Sequence, residues 1–159
     1  MKDTRVFTEE RRSSGKAKDE LVGTWRLVSW ESRRSDGEIV YPYGRDVIGI
    51  LNYDAAGNMS VQFMRPDRPV FSISDPQKGT PTETKAAFDG FIAYFGTHEV
   101  NEKEGTVTHR LRGCSFPNWV GSDQTRSFEF SGNRLTVRAP SIQFGGITVS
   151  SLLIWERMA

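Results

Sequence analysis

A single cysteine, Cys114, stands among 159 residues, which excludes an internal disulfide and fits a reducing compartment. No apolar run approaches the roughly 18 residues of a membrane span. The N-terminal stretch MKDTRVFTEERRSSGKAKDE has no apolar centre of the signal-peptide kind, so the expected location is the cytoplasm. Neither sign of charge is in excess. Lys and Arg number 21, Asp and Glu 20, for a net charge of +1, and no broad field draws the chain to nucleic acid or an anionic membrane. Also missing are Gly-x-Gly-x-x-Gly, Gly-x-x-x-x-Gly-Lys-Ser/Thr, Gly-x-Ser-x-Gly and a paired Cys-x-x-Cys. A nucleotide enzyme, a serine hydrolase and a zinc ribbon therefore lack their usual signatures. Histidine is scarce, with only His98 and His109. With one distant cysteine these fall short of the three protein ligands of a catalytic zinc, so neither a metal nor another cofactor is expected.

What is present suits one domain with its own core. Residues 1–20 carry six basic and five acidic side chains and almost nothing large and apolar, so they read as a flexible tail ahead of a folded domain over 21–159. From Leu21 short alternating runs are separated by turn signals. Strands are expected over 25–33, 47–53, 58–65, 97–101, 106–112, 124–131, 134–138 and 148–157, mostly as antiparallel hairpins. One helix interrupts them. Thr80-Pro81-Thr82-Glu83 reads as a capping box. Phe88, Phe91, Ile92 and Phe95 then fall at helical spacing, with Gly96 placed to end the helix and Tyr94 off the stripe. Ahead of it, residues 66–79 form a long loop with three prolines, read as a lid or as surface packing.

Register decides which side chains face the centre of such a sheet. In the hairpin GTHEVNEKEGTVTHRL, symmetry about Lys103-Glu104 sets His98 opposite His109 and Val100 opposite Val107, on the face shared with Leu111. Two neighbouring cations would repel, so at least one imidazole should be neutral near pH 7, fit to contact a ligand or move a proton. With Trp25 inward, simple alternation puts Leu27, Ser29 and Glu31 on the same face, and an inward Glu31 is a candidate acid or base. Around Asp54–Gly57 one face collects Ile48, Ile50, Met59, Val61 and Phe63; the other collects Leu51, Tyr53, Ser60, Gln62 and Met64. The second set has the mixed character of a ligand cavity. Arg126 continues the face of Phe128, Phe130, Leu135 and Val137 and would mark an anionic ligand group; Trp119 lies in a loop where a ring needs shelter.

The ordered set Gly23-Thr24-Trp25, Met59–Pro66, Ala87–Thr97, Pro117–Gly121 and Trp155-Glu156-Arg157 resembles the small microbial lipocalin-like domain family of the calycin group. The resemblance spans about Leu21 to Arg157 and implies an all-β fold: a lipocalin-like antiparallel up-and-down barrel of about eight strands with one α-helix packed against it. It also implies that Trp25 closes the barrel floor with Arg157 packed across it. The first functional expectation is an intracellular barrel whose cavity takes a hydrophobic or aromatic, natural-product-like ligand, with Tyr53, Gln62, Met64, Trp119 and Arg126 as contacts. The alternative is a cofactor-independent isomerase, cyclase or dehydratase using His98, His109, Glu31 and Tyr94. A purely structural or partner-binding domain is the third. The expected partner is a small molecule, with homo-oligomer formation left open.

Overall fold

The structure is a computed structural model that describes residues 16–158; the expected tail over 1–15 lies outside the described residues. A short helix, α1 (Lys16–Leu21), leads into β1 (Gly23–Arg34), β2 (Ile39–Val40), β3 (Ile48–Tyr53) and β4 (Asn58–Met64). Helix α2 (Pro81–Asp89) follows, then β5 (Phe91–Asn101), β6 (Thr106–Cys114), a 3₁₀ turn (Pro117–Trp119), β7 (Asp123–Ser131), β8 (Arg134–Phe144) and β9 (Ile147–Arg157). Apart from β2, each strand pairs antiparallel with the next, and β1 pairs with β9, closing an eight-stranded barrel with β2 as an extra strand on β1. Closure leaves the barrel strands no free edge, and alternation along each strand sends one face into the core.

One end of the barrel is sealed. Trp25 is 1% exposed, its indole nitrogen donates to the Leu21 carbonyl at 2.9 Å, and the Arg157 guanidinium lies 4.2 Å from its ring centre. Arg157 also donates to the Val22 carbonyl at 2.9 Å and to that of Glu20. Residues 16–20, expected to belong to the tail, are helical, and the Ala17 amide donates to Glu102 Oε1 at 2.9 Å. The apolar anchor of this helix is Leu21, fully buried under the barrel floor.

Three expectations need correction. The helix is shorter than the apolar stripe suggested. Its capping box is present, with Thr80 Oγ1 accepting from the Glu83 amide at 3.2 Å and Glu83 Oε1 accepting from the Thr80 amide at 2.9 Å, but it ends at Asp89. The Gly90 amide caps Ala86 and Phe88, so Phe91, Ile92, Tyr94 and Phe95 lie on β5, with Phe95 59% exposed on its outer side. The stripe fits a helix, but Phe91 and Phe95 fall on one face of β5 and Ile92 and Tyr94 on the other; aromatic and β-branched residues favour a strand, and pairing with β4 decided the matter. Second, β1 carries a bulge between Leu27 and Ser29, which reverses the alternation: Trp30 and Ser32 face in, and Glu31 faces out. Third, Leu51 pairs with Val61 and Tyr53 with Met59, so residues of like parity share a face; Leu51, Tyr53, Met59 and Val61 are buried, whereas Gln62 and Met64 point away from the core.

The loop over 66–79 packs on α2 rather than covering the barrel. The Ser72 amide donates to Glu83 Oε2 at 2.5 Å, so one carboxylate both caps the helix and ties down the loop; these backbone donors hold the Glu83 carboxyl down at about 2. Thr80→Ala should lower stability by about 1 kcal/mol, read as a drop in the urea midpoint with unchanged slope.

Candidate functional site

Above the Trp25 floor the barrel holds a cavity of about 70 Å3. Its wall is mainly aliphatic and aromatic, with Leu51, Val61, Phe63, Val137, Leu153 and Trp155 among its members. That volume gives room for a few waters and falls below the roughly 300–1,000 Å3 of common ligand pockets. A second, outer depression of about 470 Å3 lies between α2 and the β8–β9 hairpin. Ile92, Trp119 and Phe144 line both spaces, so these side chains form the partition between them. A guest of more than a single ring needs that partition to open.

The main polar feature of the cavity is a connected cluster. His98 and His109 pair across β5 and β6, as the symmetric hairpin predicted, and are 7% and 3% exposed. The register shift falls at Phe95/Gly96, beyond the histidines. The two imidazoles nevertheless do different things. His109 lines the cavity, with Nε2 2.7 Å from the Tyr53 hydroxyl and Nδ1 2.9 Å from the Tyr94 hydroxyl. His98 sits behind it, its ring edge-on to Tyr53 at 4.7 Å between centroids; among the described residues neither of its nitrogens is within hydrogen-bond geometry of a partner, and the Asn58 and Gly57 backbone is its polar surrounding. Arg126 on β7 completes the cluster: its Nη2 donates to the Tyr94 hydroxyl at 3.3 Å and to Gln124 Oε1 at 2.5 Å.

Burial sets the protonation of this cluster. It holds His109 well below the ordinary histidine value, helped by the Arg126 charge and by His98. It lowers His98 as well, partly offset by the Asn58 backbone and the Asp54 carboxylate. It pushes the Tyr53 hydroxyl up, with Tyr94 adding to the rise and Arg126 opposing it. Both imidazoles are therefore neutral at pH 7, and their protonated forms belong to the unfolded chain. The unfolded state binds more protons than the native one below the unfolded histidine value of about 6.5, so stability is complete above that pH and falls as pH drops below it. His109 alone should cost about 1.4 kcal/mol per pH unit there. Urea midpoints at about pH 7.5 and 5.5 check this, and His109→Gln should flatten the dependence.

The sequence-predicted residues divide accordingly. The cavity brings together Tyr53, Tyr94, His109, Trp119 and Arg126. His98 is adjacent but behind Tyr53. Glu31 lies on the outer surface beside Ser150 and Leu152. Gln62 lies in an outer depression with Ser60 and Phe95, and the Met64 sulfur accepts from Arg68 at 3.4 Å. Among the described residues no group of three His, Cys, Asp or Glu side chains is placed to hold a metal ion. Sequence reasoning missed Trp30, Ser151, Gln124 and Phe144. Trp30 and Ser151 form a second polar point on the wall, where the indole donates to Ser151 Oγ at 3.2 Å and Ser32 Oγ lies 2.8 Å from the same oxygen. Only the bulge in β1 brings Trp30 inward, and alternation carries no signal of it.

Comparison with known proteins follows the same lines. Residues 22–158 match the lipocalin-like domain family. Over 107 residues the chain is 30% identical to the 4'-hydroxy-3'-methoxypropiophenone carrier protein ppsC of Aspergillus oryzae (strain ATCC 42149 / RIB 40), covering 63% of this chain and 96% of that protein. Two solved structures resemble it more distantly. Zebrafish ileal bile acid-binding protein, complexed with cholic acid, is 14% identical with a TM-score of 0.40, covering 87% of this chain and 99% of that one. The siderocalin Ex-FABP is 10% identical with a TM-score of 0.35, covering 87% of this chain and 71% of that one. A closed eight-stranded barrel, a Gly-x-Trp floor under an arginine and a match over nearly the whole described chain lead to one conclusion: the chain belongs to the lipocalin-like domain family.

Proposed function

We propose that this barrel binds a small hydrophobic molecule, best an aromatic one, in its central cavity. The observation that carries the reading is the cavity itself: closed at the Trp25 end, walled by apolar and aromatic side chains, and furnished with a connected polar cluster of Tyr53, His109, Tyr94 and Arg126. Apolar walls supply most of the binding free energy, and a few fixed polar groups set orientation. The described residues lining the cavity include no carboxylate, and Glu31 faces outward, so the acid–base pair needed by an isomerase, cyclase or dehydratase would have to come from neutral His109 and the two tyrosines. A binding role asks less of them. The similarity to ppsC, named a carrier, supports the same choice and supplies the first probe, 4'-hydroxy-3'-methoxypropiophenone.

Trp30, Trp119 and Trp155 line the cavity, so occupancy should change intrinsic tryptophan fluorescence. Titration with that compound should give a saturable change. Ala139→Phe, which places a ring in the cavity, should abolish it while the barrel still melts cooperatively. Identical titrations for the filled and native barrels would refute binding at this site.

A further inference from the structure

The polar cluster has a proton count that limits what it can recognise. Tyr53, His109 and Tyr94 form a chain with two hydrogen bonds, at 2.7 and 2.9 Å. With His109 neutral they hold three hydrogens between them: two hydroxyl hydrogens and one ring N–H. Two are used in the links, so one hydroxyl hydrogen is always left over. If Nδ1 carries the ring hydrogen, it donates to Tyr94, Tyr53 donates to Nε2, and the Tyr94 hydroxyl is the free donor. In the other tautomer the free donor is Tyr53. Arg126 also donates to the Tyr94 oxygen, at 3.3 Å, and that oxygen can accept from both arginine and imidazole while its own hydrogen points elsewhere.

Beside this spare donor lies a cation without a counter-ion. No carboxylate among the described residues pairs with Arg126, and its polar contacts are the Tyr94 hydroxyl and Gln124 Oε1. The surface arginines show the contrast: Arg110 is held by Glu99 and Asp123, and Arg138 by Glu129. The groups facing this point are Tyr53 from β3, Tyr94 from β5 with His98 behind, His109 from β6, and Gln124 and Arg126 from β7; β1 and β9 contribute Trp30 and Ser151, and β8 contributes apolar side chains. Tyrosine, histidine, amide and guanidinium supply donors and one positive charge, and no negative one. Arg126 is half-buried, so solvent meets part of the cost of its charge, and an anion in the cavity would lower the rest.

We propose that the cavity takes its ligand as the conjugate base of a weak oxygen acid, a phenol or an enol, with the anionic oxygen set between the Arg126 guanidinium and the Tyr94 hydroxyl. This rests on the cavity-binding reading above and adds the substrate class. The arriving oxygen supplies the missing negative charge, and it fixes the His109 tautomer with the hydrogen on Nδ1, because that tautomer frees the Tyr94 hydrogen. The proton lost by the ligand goes to bulk buffer. The aromatic wall accepts the ring that carries the oxygen.

The test uses 4-nitrophenol, yellow when ionised and nearly colourless when neutral, and 4-nitroanisole, the same ring with its oxygen methylated. Bound 4-nitrophenol should ionise about one to three pH units below the free compound, seen as yellow absorbance from the complex at a pH where the free probe is neutral. Its affinity should exceed that of 4-nitroanisole by about tenfold or more. Arg126→Gln should remove the ionisation shift, and Arg126→Lys, which restores the charge, should recover part of it. Tyr94→Phe, which keeps the ring, gives a second reading if the arginine variants fold poorly, and should reduce the shift. An unchanged ionisation of bound 4-nitrophenol, or equal affinities for the two probes, would overturn the proposal and leave the cavity-binding reading standing. Binding of neither probe would defeat both.

Discussion

Gly96→Ala should prevent the barrel from forming. A Cβ built at Gly96 would lie 1.9 Å from the carbonyl oxygen of Arg110 and 2.9 Å from its carbonyl carbon, far inside contact distance. The clash is with backbone, so no rotamer relieves it. The β6 backbone cannot yield either, because the Leu111 amide donates to the Ser122 carbonyl at 3.0 Å and the Gly121 amide to the Leu111 carbonyl at 2.8 Å, which pins the bulged segment. Gly96 lies between Tyr94 and His98 on the inward face of β5, and His109 sits opposite His98, so any distortion there reaches the site directly. The expected loss, above about 5 kcal/mol, belongs with the few substitutions that consume most of a domain's stability. Circular dichroism and a thermal melt decide the point: loss of the cooperative transition is expected, and a melting temperature within a few degrees of the native protein would show that the approach at Gly96 is not tight.

His109→Ala should be the most damaging change within the polar cluster. It leaves a cavity where the imidazole was and removes the partner of two hydroxyls. Tyr94 keeps Arg126, but Tyr53, 2% exposed, has no other hydrogen bond among the described residues. An unpaired buried hydroxyl costs about 1–3 kcal/mol, and truncating a buried ring adds to it, so about 3–5 kcal/mol is expected in all. A double-mutant cycle isolates the hydrogen bond. Combining His109→Ala with Tyr53→Phe should cost less than the sum of the two, by about 1–2 kcal/mol, since the second change removes the stranded hydroxyl. Strict additivity would mean that water or another group takes over the Tyr53 hydroxyl.

The sequence disclosed the site unevenly, and the reasons are local. The His98/His109 pairing was readable because the turn at Asn101–Thr106 is nearly symmetric and the apolar residues Val100, Val107 and Leu111 agree with it. The Trp25–Arg157 floor followed from the Gly-x-Trp resemblance. Arg126 was placed by alternation with Phe128 and Phe130, and Trp119 because a ring in a loop needs shelter; both line the cavity. Glu31 was misplaced by a single bulge, since one extra residue at Leu27/Ser29 turns every later side chain of β1 over. Gln62 and Met64 were misplaced for a related reason: the β3–β4 turn pairs like parities, whereas the alternation of residue types fitted either register. Tyr94 was chosen as a residue lying off a helical stripe; it is an inward residue of β5 that lines the cavity, so its setting differs from the one expected. The bulge, which depends on contacts distant in sequence, accounts for the error in β1; a run of apolar residues on both faces of β5, which mimics a helical stripe, accounts for that between Phe88 and Phe95.

The central claim is that the space between the Trp25 floor and the Trp119–Phe144 partition is a binding site. An isotope-filtered NOESY spectrum of the labelled barrel with unlabelled 4-nitrophenol tests it most directly. The account predicts contacts from the probe's ring protons to the Val61, Val137 and Leu153 methyl groups and to the Trp155 indole, all of which line the cavity. Contacts confined to Phe88 and Phe116 in the outer depression, or none at all, would contradict it.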